Sequence, residues 1–342
     1  MGDPRLKLGT LAALVRGGQL PAALAANRSV PHVHRLAFLA AAGSSGVLAR
    51  LAGGGATLDE IAAAIGDAAG AHEALEAWLA VGVRIGELAH GGARYRLRSR
   101  LAKSLARAEH DPVLAIIAQT MGLHARLILE TPALLQRGQR FGMADQDGAM
   151  VARASRITEP LIRDAIDEVV PARGALHLLE VGCGAGDSVC YAALRNPELR
   201  ALALELQPTV AARARENLQA AGLSARAEVR TCDVRDLAVA ADFDLVMLHQ
   251  NLYYFPLPER VALLERLRGC TRPGGRVLIT SICRGGSALA AILNLWGHMT
   301  DGCGPLPDVE QLQEQLRSAG WRNPSARNLL PGDRFYRFVA TT

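Results

Sequence analysis

The residues best suited to chemistry lie in the stretch LLEVGCGAGDS, residues 178–188. An apolar run reaches Glu180 and Val181, then turns through Gly182, Gly184 and Gly186. Bare backbone at such a turn lets a ligand approach the peptide groups, and glycine accepts the dihedrals the turn requires. The spacing is G-x-G-x-G. A dinucleotide loop G-x-G-x-x-G needs its third glycine where Asp187 stands, and the G-K-[ST] of a phosphate-cradling loop is missing. Two further acids stand at related places. Glu205 ends the run ALALE, nineteen residues after Gly186, where a carboxylate can take both hydroxyls of a ribose. Asp233 follows the next apolar run in TCDVRDL and is placed to accept from an exocyclic adenine amine.

These acids need strands that end side by side. The expected strands are 175–181, 199–205, 225–231, 243–249 and 275–281, with helices at about 186–195, 208–221 and 257–269 between them. A helix at 308–321 and an alternating strand at 334–341 follow. Repeated strand–helix units with nearly continuous apolar strands predict a parallel, doubly wound sheet. Ligands of open α/β sheets sit at the carboxyl ends of the strands, where the strand order reverses. Glu180, Glu205 and Asp233 all fall at such ends.

The first part of the chain reads as helical. Ala- and Leu-rich segments at 10–26 and 32–51 show no strand alternation. Thr57 followed by Glu60 is a capping box; Ile61, Ala64 and Ile65 form an apolar face, and Gly66 stops the helix. A second helix is expected at 71–83, then a hairpin over 86–99 around Gly91-Gly92. Helix, helix, hairpin is a winged-helix order. Such folds bind DNA through a helix in the major groove, yet the helix in that position carries Glu73 and Glu76 and no Arg or Lys before Arg84. A groove-reading helix should be basic. The apolar face of Leu75, Trp78, Leu79 and Val83 suits packing, and therefore dimerisation. Residues 111–170 are expected to be helical, punctuated by Pro112, Pro132, Pro160 and Pro171.

The 342 residues imply roughly two domains, and 50% hydrophobic content excludes a disordered chain. The net charge is +5, but lysine occurs only at Lys7 and Lys103 and aromatics make up 4%, so nucleic-acid stacking platforms are scarce. The six cysteines form no C-x-x-C pair, so no zinc or other metal site is expected, and scattered thiols fit a reducing cytoplasm. The richest apolar run, 113–130, is interrupted by Arg126 and closed by Glu130, so no membrane span is expected. Arg16 cuts the apolar stretch near the N-terminus to about eight residues, short for a signal peptide.

As a set, EVGCGAG (180–186), Glu205, Asp233 and RPGGRVLIT (272–280) resemble the class I S-adenosylmethionine-dependent methyltransferases. The resemblance covers about 174–342. The N-terminal part is similar to the winged-helix dimerisation domain of small-molecule O-methyltransferases. The implied fold is α/β, a Rossmann-like, doubly wound, seven-stranded sheet preceded by a mainly helical winged-helix-like domain. The implied segments are a dimerisation domain at 1–110, a helical linker lining the substrate pocket at 111–173, and a cofactor-binding catalytic domain at 174–342. By resemblance, the Gly182–Gly186 loop with Glu180 holds the methionine moiety of S-adenosylmethionine. Glu205 with Leu206 holds the ribose, Asp233 with Val234 the adenine, and His249 borders the same site.

One stretch departs from the family. Many O-methyltransferases carry a His-Asp pair shortly before a Glu that opens a helix. In LHQNLYYFPLPER (248–260), counting back from Glu259, those places hold Tyr254 and Phe255. Tyr254, Tyr253 and His249 are the candidates to replace the missing imidazole base, unless none is needed. Substrate-pocket candidates are Asn251, Tyr254, His124, Met121, Trp296 and Met299, although Met or His at helical spacing is more often core. The expected reaction is in-line methyl transfer to a small, secondary-metabolite-like acceptor by a cytoplasmic homodimer without nucleic-acid or membrane partners. The alternatives are carbon or nitrogen methylation, including of a peptide, and a non-catalytic regulatory protein that retains cofactor binding.

Overall fold

A computed structural model of the chain describes residues 15–66 and 71–342, so the expectations placed on residues 1–14, including most of the possible leader, and on 67–70 lie outside it. The chain divides after Gly122 into two compact units. In the first, the helices are α1 (Gln19–Ser44), α2 (Val47–Ala52), α3 (Leu58–Ile65) and α4 (His72–Arg84). An antiparallel hairpin of β1 (Leu88–Gly91) and β2 (Arg94–Leu97) follows, then α5 (Arg100–Leu105) and α6 (Asp111–Gln119). The capping box forms as expected: Glu60 N–H donates to Thr57 Oγ1 at 3.2 Å and Thr57 N–H to Glu60 Oε2 at 2.9 Å. Gly66 then closes α3 with φ of 71°. Leu39, Leu48, Ile61, Leu79 and Leu88 are fully buried together, and Leu114 joins them.

The second unit holds α7 (Ala125–Gln136), α8 (Gly148–Ser155) and α9 (Glu159–Val169), followed by the sheet. Its strands are β3 (Leu176–Val181), β4 (Leu199–Glu205), β5 (Ala227–Thr231), β6 (Phe243–His249), β7 (Thr271–Ile282), β8 (Arg322–Asn328) and β9 (Phe335–Thr341). Helices α10 (Asp187–Arg195), α11 (Pro208–Ala220), α12 (Arg260–Cys270), α13 (Ala288–Met299) and α14 (Val309–Ser318) lie between them in sequence. The strand order is β5-β4-β3-β6-β7-β9-β8, parallel through β7 and antiparallel at β9 and β8. The order reverses between β3 and β6.

Successive strand residues point to opposite faces. Leu178, Ala203, Met247 and Leu278 enter one core, while Leu179, Val181, Leu204, Val246, Leu248 and Ile279 enter the other. Each fully buried Leu or Val contributes roughly 1.5–3 kcal/mol, so the two-sided cores hold the strand ends in fixed register. Val181 is paired with Leu204 on one side and Leu248 on the other.

Several features of the structure stand beside or outside the expectations. Beside the expected segments bounded at 110 and 173, the chain packs as two compact units divided after Gly122. Leu114 packs in the first core, whereas Leu127, Phe141, Ile162 and Ile166 pack on the sheet. Strand β8 was not expected: its sequence RNPSARN is polar, and it pairs on one side only, with β9, where an edge tolerates Pro and charge. Helix α13 was also unforeseen, and a π-helical turn, Thr120–His124, interrupts the helical 111–170 region. Finally, the helical run Ala108–Gln136 is long and apolar enough to cross a membrane by length and composition alone. Arg126, which interrupts the apolar stretch 113–130 within it, donates through Nε to Glu130 Oε1 at 2.9 Å.

Candidate active site

Strand β3 ends at Val181 and the chain turns through Gly182 (φ 67°), Gly184 (φ 55°) and Gly186 (φ 83°) into α10. These left-handed values favour glycine. A Cβ on Gly182 would come within 2.5 Å of Asn251 Nδ2, so the amide of Asn251 can seat there only because the side chain is absent. A Cβ on Gly184 would meet nothing within 4 Å, because that position opens into a cavity of about 290 Å³. The cavity lies over the carboxyl ends of β3, β4, β5 and β6, and all its lining residues belong to the second unit.

Three acids meet at this cavity. Glu205 ties the end of β4 to the glycine loop: Gly184 N–H donates to its Oε2 at 3.0 Å and Gln207 N–H to its Oε1 at 3.0 Å. Each carboxylate oxygen has a second lone pair for a further donor. Asp233 caps a short 3-10 turn (Val234–Asp236), and the hydrogen bonds from Arg235 hold its carboxyl below the usual range. Glu180 is 2% exposed, and its Oε2 has no partner. Burial, then the charges of Asp187 and Glu205, push its carboxyl well above the usual range.

From the other side, β6 delivers His249, Gln250 and Asn251. His249 stands opposite Thr280 on β7, and its Nδ1 is 2.9 Å from Thr280 Oγ1. Gln250 takes φ of 54°, costly for a non-glycine residue. It is held there because its N–H donates to Thr280 O at 2.8 Å and its Oε1 accepts from Ile282 N–H at 2.9 Å. Asn251 Nδ2 donates to Val181 O, and Asn251 Oδ1 is buried without a partner. Tyr253 and Tyr254 follow on a 3-10 turn, their rings 5.2 Å apart, with Trp296 edge-on to both at 6.0 and 5.1 Å. Gln146 Nε2 approaches the Tyr254 hydroxyl at 3.4 Å.

The cavity thus brings together Glu180, Gly182, Gly184, Glu205, Leu206, Asp233, Val234, His249, Asn251, Tyr253 and Tyr254. Gly186 starts α10 rather than lining the wall. Trp296 and Met299 do not reach the wall: they are 3% and 4% exposed, packed in the core behind the two tyrosines. His124 is likewise buried off the wall, and burial lowers its pKa. Met121 falls in the first unit.

The three candidate bases are all desolvated. Burial depresses His249 to about 3, so its imidazole is neutral and a poor proton acceptor at neutral pH. Burial pushes the Tyr254 phenol up to about 12 and that of Tyr253 well above its usual value. Neither tyrosine is an anion near pH 7. Among the described residues, no three His, Cys, Asp or Glu side chains stand close enough to hold a metal ion.

Several lining residues escaped the sequence reading. Gln146, Val151, Arg156 and Ile162 come from α8, α9 and the turns beside them, a region with no motif of its own. The charge of Arg156 acts on Asp187 at the mouth of the glycine loop. Arg235 had a local signal: it is two residues beyond Asp233, within reach across one turn.

Residues 178–275 match the family described as a methyltransferase domain. The tuberculostearic acid methyltransferase UfaA1 of Mycobacterium tuberculosis is 34% identical over 122 residues, 35% of this chain and 27% of that protein. The L-tyrosine C(3)-methyltransferase of Streptomyces lavendulae is 35% identical over 114 residues, 33% of this chain and 30% of that protein. The chain therefore matches less than a third of the length of these curated relatives. An O-methyltransferase family protein from Burkholderia thailandensis shares the fold over 98% of both chains, with a TM-score of 0.70 and 21% identity. Residues 178–275 thus form a methyltransferase domain, and the chain as a whole shares its fold with solved methyltransferases.

Proposed function

We propose that the protein transfers a methyl group from S-adenosylmethionine to a small-molecule acceptor. The observation that carries this reading is the convergence of Glu180, the open backbone at Gly184, Glu205 and Asp233 on one cavity. The residues fit the cofactor: the unpartnered buried Glu180 Oε2 and Asn251 Oδ1 offer acceptors to an ammonium group. Glu205 retains lone pairs for the ribose, and Asp233 for the adenine amine. When bound, S-adenosylmethionine would supply an activated methyl group on a sulfonium, held by Glu180, the Gly184 backbone, Glu205 and Asp233.

What the chain supplies is alignment, which can be worth about 7–11 kcal/mol in favourable cases. The buried strand ends fix the acids, and the stacked Tyr253 and Tyr254 present aromatic faces of the kind that attract a cation. Neither phenol nor the His249 imidazole takes a proton at neutral pH. This favours a second reading, methylation of carbon, or of an atom already nucleophilic, rather than of an un-ionised hydroxyl. One of the relatives is named an L-tyrosine C(3)-methyltransferase. The winged-helix role of the first unit, homodimerisation and a cytoplasmic location belong to the same proposal; the six unpaired cysteines suit a reducing compartment.

Calorimetry with S-adenosylmethionine and S-adenosylhomocysteine tests the cofactor. Mass spectrometry of small-molecule acceptors incubated with methyl-labelled cofactor tests the transfer and locates the methylated atom. Absence of binding by either compound would remove the reading.

A further inference from the structure

Arg235 grips one acid of this wall. Its own N–H donates to Asp233 Oδ1 at 2.8 Å, its Nε is 3.1 Å from both Asp233 oxygens, and its Nη2 is 2.7 Å from Oδ2. The fork is itself braced from behind. Its Nη1 is 3.3 Å from Glu259 Oε2, at the start of α12, and its guanidinium carbon lies 5.8 Å from the centre of the Phe255 ring. Asp233, Arg235 and Phe255 all line the cavity. The side chain of Asp233 is 20% exposed and that of Arg235 57%, so the carboxylate sits inward and the arginine outward.

We propose that Arg235 is a positioning residue for base recognition, fixing the Asp233 carboxylate in one orientation so that the exocyclic amine of the adenine meets a preset acceptor. The inference rests on the reading of this cavity as the S-adenosylmethionine site. A carboxylate offers about four lone-pair directions. The backbone N–H and the two fork nitrogens of Arg235 occupy most of them and leave little freedom to rotate. A lone Asp at a turn would lose that freedom only on binding, an entropic cost that a preorganised acceptor avoids. The fork matters more than the charge, because a lysine ammonium cannot grip both oxygens in one plane. Discrimination between a 6-amino and a 6-oxo purine is therefore expected to depend on Arg235.

The test is calorimetry with S-adenosylhomocysteine and S-inosylhomocysteine, which differ in the amine and oxygen at that ring position. The wild-type protein is expected to prefer the adenosine compound by roughly tenfold or more, the size of one hydrogen bond to a charged acceptor. Arg235→Ala should close most of that gap by weakening the adenosine compound while leaving the inosine compound within about twofold; Arg235→Lys should fall between, as loss of the fork implies. Glu205→Ala, which acts on the ribose, should weaken both compounds alike. An Arg235→Ala protein with the wild-type gap, or one that weakens both compounds equally, would overturn the assignment while the cofactor reading stands. Failure of the wild type to bind either compound would overturn both.

Discussion

The cavity has two walls of different construction. One is acidic, made of Glu180, the glycine loop, Glu205 and Asp233 at the ends of three neighbouring parallel strands. The other is aromatic and amide-rich, made of Asn251, Tyr253, Tyr254, Phe255 and, from a remote part of the chain, Gln146. On the first wall Asp233 is held by the turn after its own strand, and Glu205 by its own turn and the neighbouring glycine loop. On the second, Tyr254 is placed by Trp296 and Gln146, 42 residues after and 108 residues before it in sequence. A ligand shared by many proteins can be held by local turn chemistry; a particular acceptor needs surfaces assembled from several segments.

The contrast breaks first at the glycine loop. Gly182→Val should abolish S-adenosylhomocysteine binding in calorimetry, because a side chain at φ 67° is strained and its Cβ would sit 2.5 Å from Asn251 Nδ2. Unchanged affinity would show that the loop does not hold the ligand. Glu205→Ala is next: loss of the ribose hydrogen bonds should raise the dissociation constant roughly 10- to 100-fold, as expected for bonds to a charged group. Binding as tight as wild type would undo the ribose assignment.

A pH titration sharpens the other wall. His249 binds a proton less readily folded, with a pKa of about 3, than unfolded, near 6.5. The unfolded state therefore takes up more protons as the pH drops. The stabilising effect is complete above about 6.5 and is lost progressively as pH falls toward 3, amounting to about 2–3 kcal/mol between pH 7 and 4.5. Urea unfolding at those two pH values measures it, and His249→Gln should flatten the dependence. A protein whose stability is flat across that range would contradict the buried neutral imidazole.

The smallest effect is expected at Tyr254. Tyr254→Phe should change turnover by less than about threefold, against the roughly 10²–10⁴ that removing a general base costs, and the pH–rate profile should keep its shape. A large loss that grows toward high pH, where the phenol ionises, would make that hydroxyl a participant in proton transfer.

Much of the acidic wall was legible in the chain itself. Glu180, Glu205 and Asp233 stand at the ends of apolar runs whose boundaries the structure keeps within two residues at β3, β4 and β5. The aromatic wall was legible only as a departure from a pattern. Trp296 and Met299 have the residue types of a pocket wall, yet they pack behind the tyrosines, a choice made by the fill of the core. Gln146 lies in the bend before α8 and Arg156 in the 3-10 turn after it, with no spacing that announces a ligand, and β8 lacks the alternation that marks a strand.

Residue order alone determined where strands stop, where backbone must turn left-handed and which acids follow those turns, because such features depend on neighbours a few positions away. Tertiary structure decided which imidazoles and phenols lose their proton chemistry and which remote side chains close the pocket, because desolvation and distance depend on residues far apart along the chain.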